Sequence, residues 1–114
     1  MESLEVARAV VDILEDKKAE DIVLLDIQEL TTIADYFVIC SGTSNRMLDA
    51  LAVAVREQMR DKHRLKGRVE GLPQNGWMLA DYGDVVVHIF SVDQREYYRL
   101  EELWGEGKTL VRVQ

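Results

Sequence analysis

Cysteine and proline each occur once in this chain, and no apolar run approaches the roughly 20 residues needed to cross a bilayer. A single cysteine excludes an intramolecular disulfide. Cys40 sits inside the apolar run Tyr36-Phe37-Val38-Ile39-Cys40, where a thiol behaves as a small buried hydrophobe and suits a reducing compartment. The N-terminal segment carries charge from Glu2 onward and shows no signal-peptide pattern, so a cytoplasmic location is expected. No polar linker, repeat or low-complexity tract divides the chain. Residues 1–114 are therefore expected to form one domain around a single core.

An excess of positive charge is also missing, because the formal net charge is −7. Proteins that grip nucleic acid by its phosphates usually carry a basic surplus. Long-range attraction here favours a basic partner and opposes bare RNA or DNA. One segment runs against this balance: Arg56, Arg60, Lys62, Arg64, Lys66 and Arg68, with His63 among them. Such a cluster reads either as a solvated helix end complementing the helix dipole or as a phosphate-contacting patch.

The regular elements are legible from periodicity. Leu4, Ala7, Val11 and Leu14 share a helical face, with Ser3 as the expected N-cap. Ile22 to Ile27 and Asp35 to Ser41 read as buried strands. Gly42 ends the second, and Thr43 or Ser44 can cap a helix whose stripe is Leu48, Leu51, Ala52, Val55 and Met59. Strands are expected near Arg68 to Glu70, at Trp77 and from Val85 to Phe90. Ser91 and Gln94 have capping-box spacing for a last helix bearing Tyr97, Leu100, Leu103 and Trp104 and stopping at Gly105. Lys108 to Val113 reads as a terminal strand or a tail. The order α-β-β-α-β-β-β-α predicts an α/β (α+β) domain, one mixed sheet flanked by helices.

Familiar catalytic signatures are absent. Ser41-Gly42-Thr43-Ser44 joins a strand to a helix, a geometry that can hold a phosphate on backbone amides. It lacks the second glycine and the lysine of a phosphate loop, and no Rossmann fingerprint is present. Nucleotidyl transfer needs clustered carboxylates to hold two magnesium ions, yet the following strand supplies only Glu70 and no Asp-x-Asp pair. His63 and His88 are the only histidines, and no Cys/His spacing offers a zinc site. Cys40 lies mid-strand rather than at a helix N-terminus, where thiolates are stabilised. No acid, base and nucleophile can be named together, so neither catalysis nor a metal or other cofactor is expected.

The stretch from Gly71 to Phe90 remains. A Pro/Gly loop leads into a strand bearing Trp77, a tight turn at Tyr82-Gly83 lies between Asp81 and Asp84, and an unbroken apolar strand follows. This predicts an antiparallel hairpin. Trp77 is either a half-buried core edge or an anchor for a partner, since interface hot spots are rich in tryptophan. Asp81, Asp84 and Glu70 around such an anchor would select Lys or Arg on the other side.

Several separated motifs resemble the Iojap family along nearly the whole chain. They are Asp35-Tyr36-Phe37-Val38-Ile39-Cys40-Ser41-Gly42-Thr43-Ser44, Glu70-Gly71, Gly76-Trp77, Asp81-Tyr82-Gly83-Asp84-Val85-Val86-Val87-His88, and Tyr98-x-Leu100-Glu101-x-Leu103-Trp104. The resemblance implies a nucleotidyltransferase-like fold without its catalytic carboxylates. It implies binding to the large ribosomal subunit through large ribosomal subunit protein fourteen, which blocks joining of the small subunit and lowers translation when nutrients are short. It carries Trp77, Met78, Asp81 and Asp84 over as the main contacts, with Glu70, Ala80 and Tyr82 as secondary ones. Trp77 is then expected to insert into an apolar recess of the partner while Asp81 and Asp84 pair with its basic side chains. A homodimer in the free state is also implied, with neither a membrane nor sequence-specific nucleic acid as partner. Two other roles stand beside this one: residual nucleotide binding or nucleotidyltransferase activity at Ser41 to Ser44 with Glu70, and the large-subunit assembly role of mitochondrial relatives.

Overall fold

The computed structural model describes residues 1–114. The elements are α1 (Ser3–Asp16), β1 (Glu20–Asp26), β2 (Tyr36–Gly42), α2 (Asn45–His63), β3 (Arg68–Leu72), a 3-10 turn (Pro73–Asn75), β4 (Trp77–Asp81), β5 (Val85–Ser91), α3 (Val92–Tyr98), α4 (Leu100–Leu103) and β6 (Lys108–Val113). The six strands form one mixed sheet in the order β3-β4-β5-β2-β1-β6. Only β2 and β5 run parallel; every other neighbouring pair is antiparallel. No helix is long and apolar enough to cross a membrane.

The apolar runs occupy the middle of the sheet. β2 and β5 are buried almost throughout, because helices cover one face and a second apolar layer covers the other. On the first face α1 and α2 contribute Val10, Leu14, Leu48, Leu51, Val55 and Met59 to a core shared with Val38, Cys40, Val87 and Ile89. On the second face Val23, Leu25, Phe37, Ile39, Val86 and Phe90 form a smaller cluster, with Trp77, Leu79, Leu100 and Trp104 packed against it. The terminal segment is a strand, pairing with β1 at the sheet edge.

Helix α2 starts where the sequence indicates. Ser44 is its N-cap, accepting from the Met47 backbone N–H at 3.0 Å. Ser3 differs from expectation: Glu2 is the N-cap of α1, and the Ser3 hydroxyl instead donates to Asp35 Oδ2 at 2.9 Å. The single last helix is also corrected. Ser91 caps α3 by accepting from the Gln94 N–H at 3.2 Å, but Arg99 turns left-handed at φ 47° and separates α3 from α4. The bend brings Glu101 onto Arg95, with two hydrogen bonds of 2.9 and 3.1 Å. It also breaks the helical stripe, so Tyr97 and Leu103 point to solvent while Trp104 still packs edge-on against Phe37.

Candidate functional site

The expected hairpin is present: β4 and β5 pair antiparallel, with Trp77 opposite Phe90 and Asp81 opposite Val86. Its turn closes with the Tyr82 N–H donating to the Val85 carbonyl at 2.9 Å. Gly83 supplies the left-handed residue that so tight a hairpin turn requires, at φ 83°. The Asp81 carboxylate accepts from the Gly83 N–H at 2.8 Å and so braces the turn. At the other end Gly76 also has positive φ, 75°, and a Cβ there would lie 2.6 Å from Gln94 Cγ. That glycine lets the chain enter β4 beneath α3.

The pleat decides which side chains a partner can reach. Residues of β4 alternate between faces, so Met78 and Ala80 are buried in the layer under α2, at 5% and 0% exposure. Both of these expected contacts pack in the core of the free chain and offer little surface of their own. Tyr82 also turns toward the helix layer, where its ring packs against Gly67 and its hydroxyl donates to the Val55 carbonyl at 3.5 Å. Trp77, Leu79 and Asp81 lie on the opposite face and are half-buried. Leu79, which the sequence reading did not single out, sits between Glu70 of β3 and His88 of β5.

Trp77 is held from several directions. Its indole stacks on Phe90 at 4.9 Å, meets Tyr98 at 4.7 Å, and donates from Nε1 to Nδ1 of His88 at 3.3 Å. The ring is therefore a fixed, half-buried part of an aromatic platform. Carboxylates border this platform. Glu70 and Asp81 flank the Arg68 guanidinium at 3.5 and 3.9 Å, and Asp84 is exposed with no side-chain partner. Asp84 also has a structural part, since its carbonyl accepts from the backbone N–H groups of Asp35 and Tyr36.

The groups considered for chemistry are dispersed. Cys40 is fully buried and burial pushes its thiol up to about 12, far from a nucleophilic thiolate. Burial lowers His88 to about 4, so its imidazole is neutral at ordinary pH. Glu70 lies on an edge strand with β4 and β5 between it and β2, so it does not meet Ser41 to Ser44. The hydroxyls of that junction are engaged within the fold: Ser41 accepts from Arg95 at 3.0 Å and Ser44 caps α2. A cavity of about 480 Å³ opens beside Ser41, but Glu20, Asp21, Glu96, Glu101 and Glu102 outnumber Arg95 and Arg99 in its lining, a balance that opposes a phosphate. No three His, Cys, Asp or Glu side chains converge as metal ligands.

Comparison with known proteins places the chain in a family. The family described as "Ribosomal silencing factor during starvation" matches residues 1–114. The ribosomal silencing factor RsfS of Bacillus subtilis is 43% identical over 104 residues, covering 91% of this chain and 86% of the relative. A crystal structure from Chromobacterium violaceum superposes with a TM-score of 0.87 at 37% identity, covering 92% of this chain and 88% of the other. A mouse protein named for mitochondrial assembly of the ribosomal large subunit is 33% identical, covering 82% of this chain and 42% of that protein. The chain belongs to the ribosomal silencing factor (Iojap) family.

Proposed function

We propose that the protein is a non-enzymatic translational silencer that docks on the large ribosomal subunit through large ribosomal subunit protein fourteen and occupies space the small subunit needs. One observation carries this reading: the platform of Trp77 and Leu79 has Glu70 beside Leu79 and Asp81 on the same face, with the exposed, unpaired Asp84 at the hairpin turn. Such a surface buries aromatic and aliphatic area against a partner and offers carboxylates to its basic side chains. Because the indole is already held by Phe90, Tyr98 and His88, little side-chain freedom is lost on docking. Met78 and Ala80 act from beneath by setting the position of β4.

The experiment is co-sedimentation with purified large subunits, paired with a subunit-joining assay lacking nucleotide. Trp77→Ala combined with Asp84→Lys should lose co-sedimentation while keeping its circular dichroism. Adding the unmodified protein should lower the yield of joined ribosomes in proportion to its occupancy. Undiminished binding by the folded double variant would remove this face from the reading, and inhibition that required nucleotide would favour an enzymatic role.

The mouse relative's name supports a second reading, large-subunit assembly, through the same face. Gradient profiles separate the two: a silencer travels with mature free large subunits, an assembly factor with immature precursors. In the free state the chain is further taken to pair with a second copy, which light scattering across a concentration series would test.

A further inference from the structure

We infer that a cationic ridge formed by the end of α2 and the segment leading to β3 contacts the phosphate backbone of RNA on the large subunit, beside the docking face. The residues Arg56, Arg60, Lys62, Arg64, Lys66 and Arg68 are all exposed. They stand against Glu57 and Asp61 alone, a local net charge of +4 in a chain whose total is −7. Complementing a helix dipole accounts for cations in the last turn only. Here Arg56 precedes that turn, while Lys66 and Arg68 lie beyond the αL cap at Arg64.

Pairing within the protein does not absorb the charge. Arg60 is bound to Asp61 at 2.9 Å and Arg68 lies near Glu70 and Asp81, but Arg56, Lys62, Arg64 and Lys66 meet no carboxylate. Lys62 only donates to the neutral Gln58 amide at 3.1 Å. Arg56 and Arg60 are one turn apart on one side of α2, and Arg64 stands at the αL cap where the helix stops.

The ridge has a definite place relative to the hairpin. The Tyr82 ring packs against Gly67 and its hydroxyl reaches the Val55 carbonyl, which sets the turn at Asp81 to Asp84 beside the basic segment. Arg68 faces Asp81 across the β3–β4 pair. A carboxylate-rimmed apolar face and a cationic ridge thus adjoin. Together they fit a composite surface in which a basic protein lies next to RNA. The overall negative charge does not prevent this, because at physiological salt charges beyond about 8 Å are largely screened.

The inference rests on docking to the large subunit, and its test separates the two. Lys62→Gln, Arg64→Gln and Lys66→Gln are combined, and binding is measured across a salt series to intact large subunits and to isolated large ribosomal subunit protein fourteen. A control removes equal charge elsewhere through Lys17→Gln, Lys18→Gln and Lys108→Gln. The ridge variant should bind subunits at least about tenfold more weakly at physiological salt. Its slope of log affinity against log salt should be shallower by about 2 to 3, near one unit per lost phosphate contact. Its affinity for the isolated protein should stay within about twofold, and the control should resemble the unmodified chain.

Unchanged affinity and slope on subunits would overturn the inference. So would equal weakening toward the isolated protein, or a matching loss in the control. If the unmodified chain bound subunits but not the isolated protein, the docking partner would be wrong while a lost slope still upheld the ridge. If it bound no subunits at all, both would fall.

Discussion

The indole of Trp77 donates from Nε1 to Nδ1 of His88 at 3.3 Å, joining diagonal neighbours on one face of the β4–β5 pair. Accepting this bond places the imidazole proton on Nε2, which is buried without a polar partner. Phe37 meets the imidazole edge-on at 4.7 Å and Phe90 stacks near it at 6.2 Å. The neutral histidine is thus a rest for the tryptophan. Its charged form would have no counterion within this aromatic surround.

Stability should therefore depend on pH in a defined window. Burial lowers the folded-state value of His88 from 6.5 to about 4. Between these values the unfolded chain binds the proton and the folded chain does not, so stability falls as pH drops through the window and is fully present above 6.5. The slope is about 1.4 kcal/mol per pH unit, for a total of about 3 kcal/mol. Urea unfolding of the wild type and His88→Leu at neutral pH and near pH 5 would check it. The variant should lose most of this dependence, and an equal dependence in both would assign the effect elsewhere.

Trp77 should matter to the fold as well as to docking. Removing its ring uncovers Phe90 and deprives His88 of its donor, so Trp77→Ala should cost about 2 kcal/mol, below the range for a fully buried aromatic. Trp77→Phe keeps much of the stacking and should cost about half of that. Chemical denaturation of both variants gives the numbers, and binding measurements belong below their unfolding midpoints.

Arg95 is 8% exposed and tied to Glu101, Ser41 and the Asp21 carbonyl, so it joins α3 and α4 to two strands. Glu101→Gln leaves the buried guanidinium with only the longer Asp21 carboxylate contact at 3.5 Å and should destabilise by about 1 to 2 kcal/mol, moderated by the partial exposure of Glu101. Arg95→Met combined with Glu101→Leu should lose less than the two single changes together, because each single change strands the other partner. A double-mutant cycle in urea measures the coupling. Additive losses would show that the pair acts independently.

Cys40 should resist alkylation in the folded protein. With its thiol pushed up to about 12 and no exposure, the thiolate is both scarce and unreachable at pH 8. Mass spectrometry should find no iodoacetamide adduct until denaturant is added, then one per chain. Rapid labelling under native conditions would mean that β2 opens locally.

Much of this architecture is written in local pattern. The runs in β2 and β5 announce strands covered on both faces, the stripe from Leu48 to Met59 gives α2, and Ser44 and Ser91 mark helix starts. Period-two alternation from Trp77 also sends Met78 and Ala80 to the face under α2 and leaves Trp77, Leu79 and Asp81 on the other. Other features depend on contacts distant in sequence. Arg95 meets the Asp21 carbonyl across 74 positions, so no window around either residue reveals that this arginine is anchored on β1. The same alternation puts Leu79 beside Trp77, but its half-buried state depends on packing against residues of β1, β2 and β5.

Leu79 supplies the sharpest separation of docking from folding. It is half-buried on the same face as Trp77, whereas Met78 next to it is buried under α2. Leu79→Glu places a charge in the middle of the apolar platform, beside Glu70, and repels the carboxylates already there. At a partly exposed position this should cost the fold about 1 kcal/mol, while docking on the large subunit should weaken by tenfold or more, as at a desolvated contact. Met78→Ala should do the reverse, losing about 2 kcal/mol of stability from its buried site with affinity preserved once the chain is folded. Both quantities come from denaturation and co-sedimentation on the same preparations. If Leu79→Glu bound as tightly as wild type while Met78→Ala lost binding in a fully folded state, the partner would be reading the helix side of β4, and the platform around Trp77 would be structural alone.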